Sequence, residues 1–226
     1  MKRFPMLPPL MIALLAAAAP VSAAETAPAH YQGDAAKGKP IASTVCGACH
    51  GPDGNSVVPV NPKLAGQNAD YLFKQMSNFK GGGTDGKPLR TNAIMNGMIA
   101  AYSKDQMRDF AAYFSSQTQN GGVDKDRDSV AMGQKLYRAG DMSRGLPACA
   151  GCHGPTGAGI PAEFPRVGGQ WPDYLEAQLK AFRAAGADPK APNGRDNDPN
   201  KMMRMIAVKM TDPEIKAVAN YISGLH

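Results

Sequence analysis

An all-α fold, with one small helical domain written twice in tandem, is what this sequence predicts. Three observations point there. The run Cys46-Gly47-Ala48-Cys49-His50-Gly51-Pro52 returns as Cys149-Ala150-Gly151-Cys152-His153-Gly154-Pro155, displaced by 103 residues, and at that displacement Gly66-Gln67, Tyr71-Leu72, Gln75 and Phe79 match Gly169-Gln170, Tyr174-Leu175, Gln178 and Phe182. Two copies of so long a unit are too few for a solenoid, which stacks many short repeats, so two similar domains are the simpler reading. Tyr71, Leu72, Gln75 and Phe79 stand at the three- and four-residue spacing of one helix face, and no strand-like alternation stands out. Hydrophobic residues make up 43% and charged residues 19% of the 226, which excludes a disordered, collagenous or coiled-coil chain.

Taken in order, residues 1–23 read as a cleaved export signal. Lys2 and Arg3 form a positive start, residues 10–19 a short apolar stretch, and Val21-Ser22-Ala23 a small-residue cleavage site. The apolar stretch is too short to span a bilayer comfortably; a retained anchor is the alternative. Export places the mature chain, starting near Ala24, in the periplasm. Residues 24–122 form the first domain, with a leading helix at 34–45, a middle helix at 70–80, and a last helix starting at Ser103, whose pairing with Gln106 is a capping box. The boundary falls in Gln119-Asn120-Gly121-Gly122. Residues 123–226 form the second domain, with helices at 128–139 and 173–184 and a capping box of Thr211 with Glu214. Near the end of each half the displacement becomes 108, so that Tyr113 matches Tyr221; the five extra residues fall in the Pro- and Asn-rich stretch 187–200, where insertion into a surface loop is cheap.

Small domains with long loops usually need a staple, and the four Cys suggest it. C-x-x-C-H is the attachment signature of c-type haem. Two thiols reach the two vinyl groups of one porphyrin, and the adjacent His points a ring nitrogen at the iron. The candidates are therefore Cys46 and Cys49 with His50, and Cys149 and Cys152 with His153, which consume all four Cys and two of the four His. The others, His30 and His226, have no counterparts and read as solvated. A structural zinc site would want its Cys pairs some 15–20 residues apart rather than 103. Disulfides are the other option, but C-x-x-C thiols usually form reactive redox pairs, and a thioredoxin-like site lacks its β-α-β context here.

A second axial ligand must come from elsewhere, and a Met there raises the reduction potential. Thirteen Met are present, most of them core filler. Register selects among them: Met95 lies eight residues before Ser103, and Met203 eight before Thr211. Met98, Met202, Met205 and Met210 face Ile206, Ile94, Gly97 and Tyr102 instead, so Met95 and Met203 are the candidates, with Met98 and Met202 the nearest alternatives.

At this point the chain resembles the cytochrome c4 family over essentially the whole mature sequence. The matching features are the first C-x-x-C-H, Lys63-Leu64-Ala65-Gly66-Gln67, 111–117, Pro147-Ala148-Cys149, and 221–226. The resemblance implies two class I cytochrome c domains, a covalently bound haem c in each, and iron ligation by His50 with Met95 and by His153 with Met203. It further implies respiratory electron transfer at the membrane, from a quinol-oxidising cytochrome complex toward a terminal oxidase. Met205 departs from the family, which often has Gly there, and puts a second sulfur two residues from Met203. Gly38 and Gly133 would allow close packing with Tyr113 and Tyr221. Trp171 fills the slot of Asn68 and reads as a packing residue. Arg90 and Arg195 read either as haem-propionate partners or as solvated loop charges.

With both axial positions filled, neither iron is open to substrate, so an electron carrier rather than an enzyme is expected. A dihaem peroxidase needs one displaceable ligand, and an electron-accepting subunit of a dehydrogenase or sulfur-oxidising complex would show the same site. Formal charge is +6, and from Ala24 each half carries +2, which two ionised propionates per haem would cancel. Strong steering toward an acidic partner is therefore not implied by net charge, and no Lys or Arg run suggests nucleic acid.

Overall fold

The computed structural model describes residues 33–83, 86–122, 126–161 and 164–225, so the expected export signal, His30 and His226 lie outside it. The first lobe holds α1 (Ala35–Ile41), α2 (Gly47–His50), α3 (Ala69–Lys80), α4 (Ala93–Ala100) and α5 (Lys104–Ser115). The second holds α6 (Arg127–Ala139), α7 (Ala150–His153), α8 (Pro172–Ala187), α9 (Met202–Ala207) and α10 (Asp212–Ser223). Two isolated β-bridges, Asp141 with Leu146 and Ile160 with Phe164, are the extended pairings among the described residues. No helix among them is long and apolar enough to cross a membrane.

In each lobe the first helix crosses the last, α1 on α5 and α6 on α10. A glycine makes each crossing possible. A Cβ on Gly38 would stand 2.2 Å from the Asp109 carbonyl oxygen, and one on Gly133 would stand 2.2 Å from that of Ala217. The contact thus falls one helical turn before Tyr113 and Tyr221, the expected partners, although the Tyr221 Cβ also lies 2.7 Å from the Gly133 position. Helix backbones meet so closely only where no side chain intervenes. Below each crossing sits a separate core. Phe110, Phe114, Leu72 and Tyr113 fill the first, and Leu136, Tyr137, Ile215, Val218 and Leu146 the second. Full burial of one such apolar side chain stabilises by about 2 kcal/mol.

Helix starts follow the expected chemistry. Ser103 and Thr211 each accept from the amide three residues on, while Gln106 and Glu214 reach back, so both capping boxes form. Asn68 caps α3 by accepting from the Tyr71 amide. Its counterpart Trp171 makes no side-chain cap, and α8 instead opens on Pro172, whose missing N–H leaves one fewer donor to satisfy.

The leading helices differ from expectation and from each other. Residues 34–45 do not form one regular helix. Asp34 is the cap, α1 stops at Ile41, and a π-helical turn (Ala42–Cys46) carries the chain directly into α2. Pro40 lies inside α1 with no amide to donate, and Ser43 and Thr44 bond back to the carbonyls of Lys39 and Pro40 at 2.7 Å each. Such interruptions widen a helix by one residue. In the second lobe α6 stops at Gly140 (φ +65°), and an extra loop precedes α7. The repeat registers this: Gly133 follows Gly38 by 95 residues, whereas Cys149 follows Cys46 by 103. The loop is closed by paired backbone bonds between Asp141 and Leu146 (2.7 and 2.9 Å), and Leu146 drops into the core.

Candidate haem centres and the seam between them

Each C-x-x-C-H run ends in a single helical turn set against its lobe's core. Cys46 packs on the first core and Cys149 on the second. Burial pushes both thiols up to about 11, opposite to the lowered thiol of a reactive redox pair. Cys49 is exposed and Cys152 half-buried.

The histidines are held in one tautomer. His50 Nδ1 stands 2.9 Å from the Pro62 carbonyl oxygen, and His153 Nδ1 2.9 Å from that of Pro165. A carbonyl only accepts, so Nδ1 carries the proton and Nε2 keeps its lone pair. Burial lowers both imidazole pKa values, outweighing the opposing hydrogen bond to the proline carbonyl, and keeps the rings neutral. A neutral imidazole anchored through Nδ1 is the form that binds a metal at Nε2. The residues present therefore fit an iron ligand in each lobe.

Met95 lies on α4, whose start is capped by Asn92 accepting from the Met95 amide at 3.0 Å. Met203 lies on α9, which follows two left-handed residues, Asn200 and Lys201. Both Met are half-buried, whereas Met98, Met202 and Met205 are 39%, 38% and 61% exposed, and Met107 and Met210 are core filler. The two N-caps from which the Met register is measured are both real.

Arg90 and Arg195 are not solvated loop charges. Each guanidinium lies over the phenylalanine of its own middle helix, Arg90 at 4.6 Å from the Phe79 ring centre and Arg195 at 4.4 Å from that of Phe182. Arg90 donates to Gln75 Oε1 in its own lobe and to Gln178 Oε1 and the Tyr174 hydroxyl across the seam, at 2.8, 2.8 and 3.1 Å. Arg195 mirrors this with Gln178, Gln75 and Tyr71, at 2.9, 3.1 and 3.1 Å. Burial alone would raise the Tyr71 pKa, but the Arg195 and Arg90 charges outweigh it and hold it below its ordinary value. Both guanidiniums bond only to uncharged oxygens, and the buried Gln75 Nε2 has no partner at all. One buried and one half-buried cation beside an orphaned donor fit a carboxylate-bearing group such as a haem.

A second set of contacts crosses the seam between the lobes, again in mirrored pairs. The Gln67 side chain accepts from the Arg166 amide (2.9 Å) and donates to its carbonyl (2.8 Å). The Gln170 side chain does the same to Lys63, at 2.9 Å each. Lys63 Nζ donates to the carbonyls of Asn120 and Gly121, and Arg166 Nε to Gln119 Oε1, so both side chains grip the linker. Trp171, expected to pack, also donates Nε1–H to the Ser56 carbonyl of the other lobe (3.0 Å) and lies beneath Lys63. The sequence marks these residues only as repeated; polar Tyr and Gln recurring on a helix face in both halves was the signal for a buried polar seam.

The comparisons agree with this geometry. The cytochrome c family model matches residues 35–118 and 130–226. The chain is 46% identical to cytochrome c4 of Azotobacter vinelandii over 203 residues, covering 88% of this chain and 92% of that one. It is 35% identical over 187 residues to a thiosulfate dehydrogenase electron acceptor from Stutzerimonas stutzeri, covering 81% and 80%. The crystal structure of reduced recombinant cytochrome c4 from Pseudomonas stutzeri superposes with a TM-score of 0.77 at 42% identity, covering 86% of this chain and all of that one. Duplicated C-x-x-C-H turns, carbonyl-anchored histidines and these likenesses lead to one conclusion: the chain belongs to the cytochrome c4 family, two cytochrome c domains with a covalently bound haem c in each.

Proposed function

We propose that this dihaem electron carrier is exported, loses residues 1–23, and works in the periplasm as two domains, 24–122 and 123–226. It passes single electrons in a respiratory chain from a quinol-oxidising cytochrome complex toward a terminal oxidase. Each haem, when bound, supplies a one-electron iron centre. The chain's residues do the rest. Cys46 and Cys49 hold one haem and Cys149 and Cys152 the other; His50 with Met95, and His153 with Met203, close the two irons to substrate. Arg90 and Arg195 would offset propionate charge at the seam, where Gln75 Nε2 has a hydrogen bond to give.

The observation that carries this reading is the matched pair of Nδ1-anchored, neutral histidines. Spectroscopy of the oxidised protein with haem quantified after denaturation tests it. Two covalent haems, both low-spin with a Met-to-iron charge-transfer band, are expected. Met95→Ala and Met203→Ala should each open one iron. Unchanged ligation in both overturns the Met assignment, and a high-spin iron that turns over peroxide overturns the carrier.

A second reading has one observation behind it, the 35% identity to a protein named as an electron acceptor of thiosulfate dehydrogenase. The donor would then be a sulfur-oxidising enzyme. Stopped-flow reduction by such an enzyme and by a quinol-oxidising complex separates the two.

A further inference from the structure

The repeated Gly-Gln pairs do more than join the lobes. The peptide unit between Pro62 and Lys63 offers its carbonyl to His50 Nδ1 (2.9 Å) and its N–H to Gln170 Oε1 (2.9 Å). The unit between Pro165 and Arg166 offers its carbonyl to His153 Nδ1 (2.9 Å) and its N–H to Gln67 Oε1 (2.9 Å). Each chain of hydrogen bonds starts on a glutamine of one lobe and ends on the histidine of the other. Both glutamines are sealed from water, Gln67 being 7% and Gln170 5% exposed. They are also held from behind, since Asn68 and Trp171 donate their amides to the same two oxygens at 2.9 and 3.0 Å.

We propose that Gln67 and Gln170 are positioning residues that tune the iron-ligand histidine of the opposite lobe, each through one shared peptide unit. The proposal rests on His50 and His153 being the axial ligands. A peptide is a conjugated unit, so an acceptor on its N–H makes its carbonyl a stronger acceptor in turn. A stronger acceptor on Nδ1–H makes the imidazole a more basic ligand, and ligand basicity is one of the levers on a haem potential. The potential of each haem therefore depends on a side chain belonging to the other lobe.

Redox titration of the full-length dihaem protein tests this, with each haem assigned by NMR through protons of Cys49 and His50 or of Cys152 and His153. Gln170→Leu should raise the midpoint potential of the haem on Cys46 and Cys49 and leave its neighbour unmoved. Gln67→Leu should do the reverse. The Nδ1–H resonance of the affected histidine should move upfield as its hydrogen bond weakens. If a leucine variant does not fold, Gln170→Asn or Gln67→Asn, which keeps the amide but withdraws it, should give a smaller shift at the same haem. A shift in the variant's own lobe, equal shifts in both, or none at all overturns the proposal. Iron-displaced ring signals of His50 and His153 in the unmodified protein test the ligand assignment separately.

Discussion

The two lobes reach the same C-x-x-C-H turn by different routes. In the first, α1 runs through a π-helical turn into α2; in the second, α6 stops at Gly140 and a stapled loop intervenes. What stays constant is the first cysteine on the core, the histidine on a proline carbonyl, and a tyrosine hydroxyl on the backbone just after the histidine. Even the tyrosine is supplied differently. Tyr113 of α5 bonds the Pro52 carbonyl (2.9 Å), whereas Tyr137 of α6 bonds that of Gly154 (2.6 Å) and Tyr221 is left to accept from Arg138. The site constrains end points, and the path to them is free to drift.

That contrast can be broken or sharpened experimentally. Leu146→Ala should cost about 3 to 4 kcal/mol, because the extra loop is a core element and not an ornament, and hydrogen exchange should show the loss in α6 and α7 but not in α1. Gly38→Ala and Gly133→Ala should cost about 3 kcal/mol each in urea denaturation, since both crossings are equally tight. Unequal costs would mean that one crossing relaxes. Tyr113→Phe and Tyr137→Phe should each cost about 1 kcal/mol, which equates the two hydroxyls despite their different helices.

The smallest effect concerns acid. Asp141, which accepts from Ser143 and Arg144, has its carboxyl lowered to about 2, and Glu214 is lowered by Arg144. A depressed carboxylate stabilises the fold above its unfolded pKa and loses that contribution as pH falls through its folded value. The second lobe should therefore loosen slightly between about pH 4 and pH 2, and Arg144→Ala should flatten that dependence in a circular-dichroism titration. The first lobe has no such loop, and the acid response of its own Asp53, held low by hydrogen bonds from Asn55, should be left unchanged by Arg144→Ala.

Much of the frame was legible in the sequence. The capping boxes are local chemistry, so Ser103 with Gln106 and Thr211 with Glu214 read directly. The middle helices came within one to three residues of their observed ends, at Ala69–Lys80 and Pro172–Ala187. The helices carrying Met95 and Met203 did not show themselves: α4 is apolar nearly all round, with Gly97 inside it, and α9 is six residues long, too short for a period. The seam was hidden for another reason. Gln67 pairs with Arg166 and Gln170 with Lys63, and no spacing within either copy encodes a contact between copies. Trp171 and Arg195 were visible as residues, but Ser56, Tyr71 and Gln75, which they reach across the seam, lay in the other half. Asn92 and Asn197 show the same ambiguity: each follows its arginine by two residues, yet Asn92 caps α4 and Asn197 reaches across to Gln75 and Asn78.

The grip of Lys63 and Arg166 on Gln119, Asn120 and Gly121 bears on speed. Domains joined by a loose tether must find each other before an electron can tunnel, and the search then sets the pace. Here residues 119–121 are held by one side chain from each lobe, so this part of the joint is built as a strut and not a hinge. For the electron carrier proposed above, the distance between the centres would then be a fixed quantity, and any internal exchange would be freed from a diffusive wait.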